Sequence, residues 1–437
     1  MARILIETYG CTLNQADSEI MEGVLKQHGH EVSSGKLATD SDYDYVIVNT
    51  CTVKTPTEQR ILDRLGMIAH FGRKLIVTGC MASANVDRIL RRAPLSSIVT
   101  TANVHRIGDA VDEIENGVTA RYTDYHKVDK VSYLSATNST IAKIPISEGC
   151  LSSCNFCETR YARGPLNSFP QETILKAMQA AIGNGAREIE LTSQDVGAYG
   201  FDRRTNIAEL VSAATDIDGD FKIRIGMLNP EHLHKYLDQL VEAYGDSKVY
   251  KFIHMPVQSG SNRVLRSMKR NYTAETFIDL VLALREDVRD ISIATDMIVG
   301  YPTEAESDFE ESMRIIEETR PSRINISRFG ARPHAGASKL KQLDNNAVKD
   351  RCIRMYRLSR QIEVEALTRI VGGRRRILLT ERRKGSVVGR DDSYREVAIR
   401  SEHFKLGESI EVDIYGSTAA CLLAAPVEAR MKTTANL

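Results

Sequence analysis

Short β-branched runs alternate with longer helical patterns over roughly the first 365 residues of this chain. That rhythm commits it to parallel sheets covered by helices. Residues 1–120 hold four such runs, "RILIETYG", "YDYVIVNT", "KLIVTG" and "SSIVTTA". Helical patterns such as "NQADSEIMEGVLKQHG" lie between the first three, which predicts an open parallel α/β sheet domain over 1–120. The polar stretch "YTDYHKVDKVSYLSATNST" reads as a linker. Six further runs follow: "AKIPIS", "EIELTS", "KIRIGML", "KVYKFIHMPV", "ISIATDMIV" and "RINISRF". With helices such as "PQETILKAMQAAIGNG" between them, they predict a partial TIM-type (β/α)6 barrel over 136–367. Sites in such a barrel lie at the carboxyl ends of its strands. After the basic helical pattern "KDRCIRMYRLSRQIEVEALTRI" the rhythm shortens to strands and turns, so 368–427 is expected to form a small antiparallel β-barrel.

A length of 437 residues with 42% hydrophobic and 27% charged predicts two or three domains, each with its own core. No apolar run is long enough to cross a bilayer, and the start "MARILIETYGC" reads as a first strand with no charged leader. A cytoplasmic protein with no membrane partner is expected. In a reducing compartment, eight cysteines are too few for a disulfide scaffold, and clustered thiols point to metal or redox chemistry. Cys352 and Cys421 stand alone and read as packing residues.

The other six cysteines follow the map of strands. Cys11, Cys51 and Cys80 each stand one step past a strand, after "ILIETYG", "YVIVNT" and "LIVTG". The carboxyl ends of parallel strands share one edge of the sheet, so these three thiols are expected to meet. Cys150, Cys154 and Cys157 follow the first barrel strand with the spacing Cys-x3-Cys-x2-Cys. Soft thiolates select zinc or iron–sulfur clusters, and structural zinc wants a fourth ligand that is not nearby. Three cysteines suit a four-iron cluster with one iron left open for a substrate or cofactor. The ten histidines are scattered. His254 and His334 lie near strand ends but form no ligand pair, so both read as packing or surface residues.

Cys-x3-Cys-x2-Cys after the first strand of a partial barrel, with Phe156 before the last cysteine, resembles the radical S-adenosylmethionine (SAM) superfamily. "TYGCTLNQADSE", "VNTCTV" and "VTGCMA" resemble the amino-terminal domain of its methylthiotransferases. So do "ISEGCLSSCNFCETRYARGPLNS", "LTSQDVGAYG", "HMPVQSGSNRVLRSMKRNYT" and "TDMIVGYPTEAESDF" further along. The tail resembles the RNA-binding TRAM barrel, so the resemblance spans nearly the whole chain. "GCLSSCNFCETRYARGPLNS" is most similar to the archaeal and eukaryotic branch that acts on threonylcarbamoyladenosine. The chain departs from the family's usual "GFPGETE" and "RPGTPA", having "GYPTEAE" and "ARPHAGA".

The resemblance implies two [4Fe–4S] clusters. Cys150, Cys154 and Cys157 would hold the one that binds SAM, and Cys11, Cys51 and Cys80 an auxiliary one that carries sulfur. Reductive SAM cleavage would give a 5′-deoxyadenosyl radical, and the reaction would methylthiolate C2 of threonylcarbamoyladenosine at position 37 of tRNA. An electron donor protein and a sulfur source would be needed. The family's other substrates are isopentenyladenosine in tRNA and an aspartate of a ribosomal protein. An RNA-binding protein with inactive clusters is a further alternative. Glu190, Thr192, Ser193 and Gln194 at the end of the second strand could cradle SAM, and Arg224 could pair with its carboxylate. Gln258 could bond SAM or substrate. Asp296 reads as a structural carboxylate, and Arg163 as a screen for the cluster or a substrate contact.

Charge adds a hint about the partner. Net charge is zero, yet residues 369–425 carry 11 basic against 8 acidic residues, while residues 1–120 carry 12 against 15. "RRR" at 374–376, "RRK" at 382–384 and a helical stripe of Arg351, Arg354, Arg357 and Arg360 suggest a phosphate-binding face.

Overall fold

The computed structural model describes residues 1–38, 42–52, 55–135, 138–401 and 403–427. Val53 of "VNTCTV", the expected central-domain start at 136 and Glu402 of the tail lie outside them.

The first unit is a six-stranded, all-parallel sheet. Its strands are β1 (Arg3–Thr8), β2 (Glu31–Ser34), β3 (Tyr45–Thr50), β4 (Lys74–Gly79), β5 (Ser97–Val99) and β6 (Arg121–Tyr122), in the order β2-β1-β3-β4-β5-β6. Every residue of β3 is buried, as expected of a central parallel strand covered on both faces. The helix Thr12–Gln27 buries Leu13, Ala16, Ile20, Met21 and Val24, one stripe at helical spacing, against this sheet. Two strands, β2 and β6, were not expected. They are short edge strands, and β2 has no fully buried residue.

The second unit begins with β7 (Ile141–Pro145) and the small antiparallel pair β8 (Ser147–Glu148) and β9 (Asn167–Ser168). It continues with β10 (Glu188–Thr192), β11 (Lys222–Ile225), β12 (Phe252–His254), β13 (Ser292–Val299) and β14 (Arg323–Arg328). Pairings β7–β10–β11 and β12–β13–β14 are parallel, and single parallel bridges join Ile223 to Val249 and Met227 to His254. Six parallel strands in chain order therefore make an open (β/α)6 barrel around the largest apolar core.

The tail closes into a five-stranded barrel, order β15-β16-β17-β19-β18, formed by β15 (Arg374–Arg383), β16 (Ser386–Asp391), β17 (Glu396–Ile399), β18 (Ser409–Ser417) and β19 (Leu422–Pro426). All its pairs are antiparallel except β17–β19.

The β16–β17 turn enters the partial barrel from its amino-terminal end. Tyr394, at φ 62°, carries its hydroxyl to 3.1 Å from Glu188 Oε1 and 3.0 Å from Glu190 Oε1. The Tyr250 hydroxyl donates to Glu188 Oε2 at 3.0 Å. Around this plug, Arg395 and Ser393 hold Asp290, and the Lys251 amide donates to Asp392 at 2.7 Å. The lumen is corked at its base.

Burial, joined by repulsion from Glu190, raises the Glu188 carboxyl to about 7. In the unfolded chain it titrates near its ordinary ~4.3. Between those values the folded chain keeps a proton that the unfolded chain has lost. Stability therefore falls as pH rises through this window, by about 4 kcal/mol in all. We expect the urea midpoint of the wild type to drop between about pH 5 and 7, and Glu188→Gln to remove most of that slope. An unchanged slope in the variant would assign the drop to other groups.

Candidate active site

Chain order in the first sheet reverses at β1, so a crevice opens beyond the carboxyl ends of β1 and β3. Cys11 follows β1, Cys51 follows β3 and Cys80 follows the adjacent β4. Cys11 is the N-cap of the helix Thr12–Gln27, and Cys80 opens the helix Cys80–Ala84. Gly10, at φ +114°, lets these loops close: a Cβ there would lie 3.1 Å from Cys51 Sγ. Asn14 ties the loops together. Its Nδ2 donates to Tyr9 O and Thr50 O, both at 2.8 Å. Its Oδ1 lies 3.9 Å from Cys11 Sγ and 3.7 Å from Cys80 Sγ. Cys11 and Cys80 thus face the same Asn14 oxygen, and Cys51 lies against Gly10 at the same sheet edge.

The second trio lies on the loop after β8. Gly149, at φ +78°, admits Pro165 O so closely that a Cβ would come within 2.1 Å. Asn155 anchors the loop through its amide to Met268 O at 3.0 Å and its side chain to Ser267 O at 2.7 Å. The Cys157 sulfur accepts from the Thr159 amide at 3.3 Å and lies 3.0 Å from its hydroxyl.

Each trio is served by one buried arginine. Arg270 Nη1 donates to Cys154 Sγ at 3.3 Å. Arg163 Nε donates to Cys80 Sγ at 3.2 Å. The rest of the Arg163 fork reaches Glu148 Oε1 at 2.9 Å, Asn14 Oδ1 at 2.6 Å and Asp17 Oδ2 at 2.9 Å. Lys130 completes a buried quartet by pairing with Asp17 at 2.8 Å and with Glu148. Burial acts to raise the Asp17 carboxyl, but attraction and hydrogen bonds from Lys130 and Arg163 together hold it below its ordinary range.

Among the described residues no three or more His, Cys, Asp or Glu side chains are arranged to hold a single metal ion. The donor chemistry of the trios points elsewhere. Each offers three soft thiols, with an N–H donor aimed at one sulfur. That set fits an iron–sulfur cluster, whose potential is set partly by hydrogen bonds to its sulfurs. Burial pushes the Cys80 and Cys150 thiols up to about 12, and nearby Arg163 only partly counters this at Cys80. Ligation must therefore displace their protons. Just past β10, Ser193 Oγ and Gln194 Oε1 are buried with no hydrogen-bond partner among the described residues, so this strand end offers polar atoms to a ligand.

The remaining expected residues divide between the two ends of the barrel. Thr192 O accepts from the Ile146 amide at 3.0 Å, at the carboxyl end with Ser193 and Gln194. Gln258, past β12, holds φ 69° and bridges to β13 through Asp296 O and the Ile298 amide. Strain of this kind, about 1–3 kcal/mol, is retained where surroundings demand it, often at ligand sites. Asp296 is bonded by His254 at 2.9 Å and Asn325 at 2.8 Å. Glu190 and Arg224 lie deeper. Glu190 meets the Tyr394 hydroxyl, and the Arg224 guanidinium lies over the rings of Phe252 and Tyr394 at 5.5 and 5.2 Å.

Other features correct the sequence reading. Arg351 is buried against Glu304 and Glu306, Arg354 pairs with Glu306 and Glu310, and Arg360 with Glu363. The helix therefore does not present a phosphate-binding stripe, and of the four arginines Arg357 is the exposed one. His334, read as a packing or surface residue, is an exposed ring packed on a neighbour. Its Nε2 lies 2.9 Å from Ala84 O, its amide donates to Glu158 at 3.1 Å, and its ring stacks on Tyr161. Nearby, Arg332 pairs with Glu58 at 3.3 Å, and Thr52 donates to Glu158 at 2.9 Å. The loop "ARPHAGA" thus fastens the barrel to the first sheet. In "GYPTEAE", the buried Glu304 closes the turn by accepting from the Gly300 amide at 2.9 Å. Arg270, Glu58 and Glu158 escaped sequence reasoning, although Arg270 stands within the quoted "RSMKRNYT".

Residues 3–101 match the uncharacterized protein family UPF0004, and residues 144–316 match the Radical SAM superfamily. A "probable threonylcarbamoyladenosine tRNA methylthiotransferase" of Pyrococcus horikoshii is 39% identical over 97% of this chain and 99% of its own length. The Homo sapiens "threonylcarbamoyladenosine tRNA methylthiotransferase" is 31% identical over 97% of this chain and 74% of its own. Among solved structures, the radical S-adenosylmethionine methyltransferase TsrM of Kitasatospora setae aligns with TM-score 0.58 at 12% identity, covering 77% of this chain and 75% of that one. That likeness concerns the fold.

Proposed function

The chain belongs to the threonylcarbamoyladenosine tRNA methylthiotransferase family of the radical SAM superfamily, and from that premise we propose that it methylthiolates C2 of N6-threonylcarbamoyladenosine at position 37 of tRNA. The superfamily implies SAM and one [4Fe–4S] cluster. We assign that cluster to Cys150, Cys154 and Cys157, and a second, auxiliary one to Cys11, Cys51 and Cys80. When bound, these groups supply hydrogen abstraction from an unactivated carbon, a methyl group and a sulfur atom. The chain's own residues hold, orient and shield them.

The observation that carries the two-cluster reading is the helix Thr159–Arg163. Its first residue touches Cys157 and its last donates to Cys80, so one turn of backbone joins both trios. Arg270 and Arg163 direct N–H groups at one sulfur of each trio and offset its negative charge on ligation. Ser193 and Gln194 offer unpaired polar atoms to SAM, with Thr192 and Gln258 on the same rim. Glu190 and Arg224 set the polarity of the lumen beneath. The Tyr394 hydroxyl, bonded to Glu188 and Glu190, fills the base of that lumen. An electron donor protein and a sulfur source complete the system, and a reducing cytoplasm suits six ligand thiols.

The test is a complete reaction. Anaerobically reconstituted protein receives SAM, reductant, sulfide and tRNA bearing threonylcarbamoyladenosine, and the digested RNA is read by mass spectrometry. One methylthio group gained on that nucleoside is the expected product. 5′-Deoxyadenosine without it would keep the radical chemistry and sink the substrate. Isopentenyladenosine tRNA and ribosomal protein would then be tried.

A further inference from the structure

The helix that spans the two trios carries a solvent-exposed ring at its midpoint. Tyr161 is 59% exposed, two residues from Thr159 at Cys157 and two from Arg163 at Cys80. At 1.5 Å rise per residue, each end lies only about 3 Å along the axis from Tyr161. One face of the ring is already covered: the His334 imidazole lies parallel to it, with centroids 3.7 Å apart and planes 8° apart. His334 is itself fixed, with its ring bonded to Ala84 O and its backbone to Glu158. The tyrosine therefore has one face packed on a hydrogen-bonded ring while the rest remains exposed. On the same rim Arg160 is exposed, and its guanidinium reaches Leu151 O at 3.2 Å. The acid nearest in sequence, Glu158, is buried and bonded to Thr52 and His334.

A parallel, pre-stacked aromatic pair beside a cation is what an unpaired nucleobase needs in order to continue the stack. We infer that the outer face of Tyr161 is a stacking platform for one unpaired base of the RNA loop, next to the nucleotide presented between the two cysteine trios. The inference rests on the reading of the chain as an enzyme acting on tRNA. It adds the residue that positions the loop: a base locked on Tyr161 fixes where its neighbour's ring falls between the trios.

The chain contains no tryptophan, so Tyr161→Trp in the full-length protein gives a single indole reporter at the platform. The probe is a synthetic RNA hairpin with the anticodon loop sequence, alongside copies carrying one abasic loop position each. Quenching of the indole by the intact hairpin is expected, and one abasic copy should fail to quench while still binding. Tyr161→Ala should weaken hairpin binding roughly tenfold or more, with Tyr161→Phe near wild type. Hairpin binding with unchanged emission, or with Tyr161→Ala at wild-type affinity, would overturn the platform and leave the tRNA reading in place. Absence of hairpin binding by the wild type would overturn both. An indole that responds to ribosomal protein and not to RNA would assign this surface to a protein partner and overturn the proposal.

Discussion

Cys51→Ala is expected to keep SAM cleavage and lose methylthio transfer, while Cys154→Ala loses both. The two cysteines belong to different trios on different elements. Cys51 follows β3 and sits against Gly10, whereas Cys154 lies on the barrel loop under Arg270. If each trio holds its own cluster, iron per chain should fall from about eight to about four in either variant. What separates them is product. Cys51→Ala should release 5′-deoxyadenosine near the wild-type rate and leave the nucleoside without sulfur. Cys154→Ala should release none above background. Iron, 5′-deoxyadenosine and modified nucleoside are measured on the same preparation. Methylthiolated product from Cys51→Ala would sink the auxiliary-cluster assignment.

The second large effect is on stability. Arg163 is 2% exposed and its fork serves Cys80, Asn14, Asp17 and Glu148, on both sides of the boundary between sheet and barrel. Arg163→Met leaves two buried carboxylates sharing Lys130 alone. Removing one partner from a buried ion pair costs about 3–5 kcal/mol, because the remaining charge has no other compensation. We expect the urea midpoint of the full chain to fall accordingly. Arg163→Lys should recover part of this by restoring charge, but a single ammonium cannot serve four acceptors as the fork does. A second readout separates the sulfur contact from the ion pairs. Both substitutions should lower the potential of the cluster assigned to Cys11, Cys51 and Cys80, since the Nε–H donor to Cys80 is gone in each. An unshifted midpoint in Arg163→Met would mean that the quartet adds nothing to stability.

These expectations depend on features of unequal visibility in sequence. The strand-end cysteines were legible because periodicity locates strands and parallel strands share an edge. The convergence of Cys11 and Cys80 on Asn14, with Cys51 against Gly10 beside them, follows from that logic. The edge strands β2 and β6 were not, since a short or half-polar run carries no clear alternation. Tertiary partners were hidden for a different reason. A basic stripe on a helix looks identical whether it faces phosphate or a neighbouring row of acids, and here Glu304, Glu306 and Glu310 take the charge of Arg351 and Arg354. Likewise, the alternation of β10 puts Glu188 and Glu190 on one face but cannot reveal that a tyrosine 204 positions away meets Glu190. Arg270 was quoted within a motif without a role because its sulfur partner lies 116 residues earlier.

The Tyr394 plug has a kinetic consequence. A vessel stoppered at the bottom fills from above or through an open flank, and among the described residues β7 and β14 are not paired across that flank. SAM and the RNA are therefore expected to approach away from the plugged base, and a steady-state rate limited by RNA departure would be the signature of an entrance that the two share.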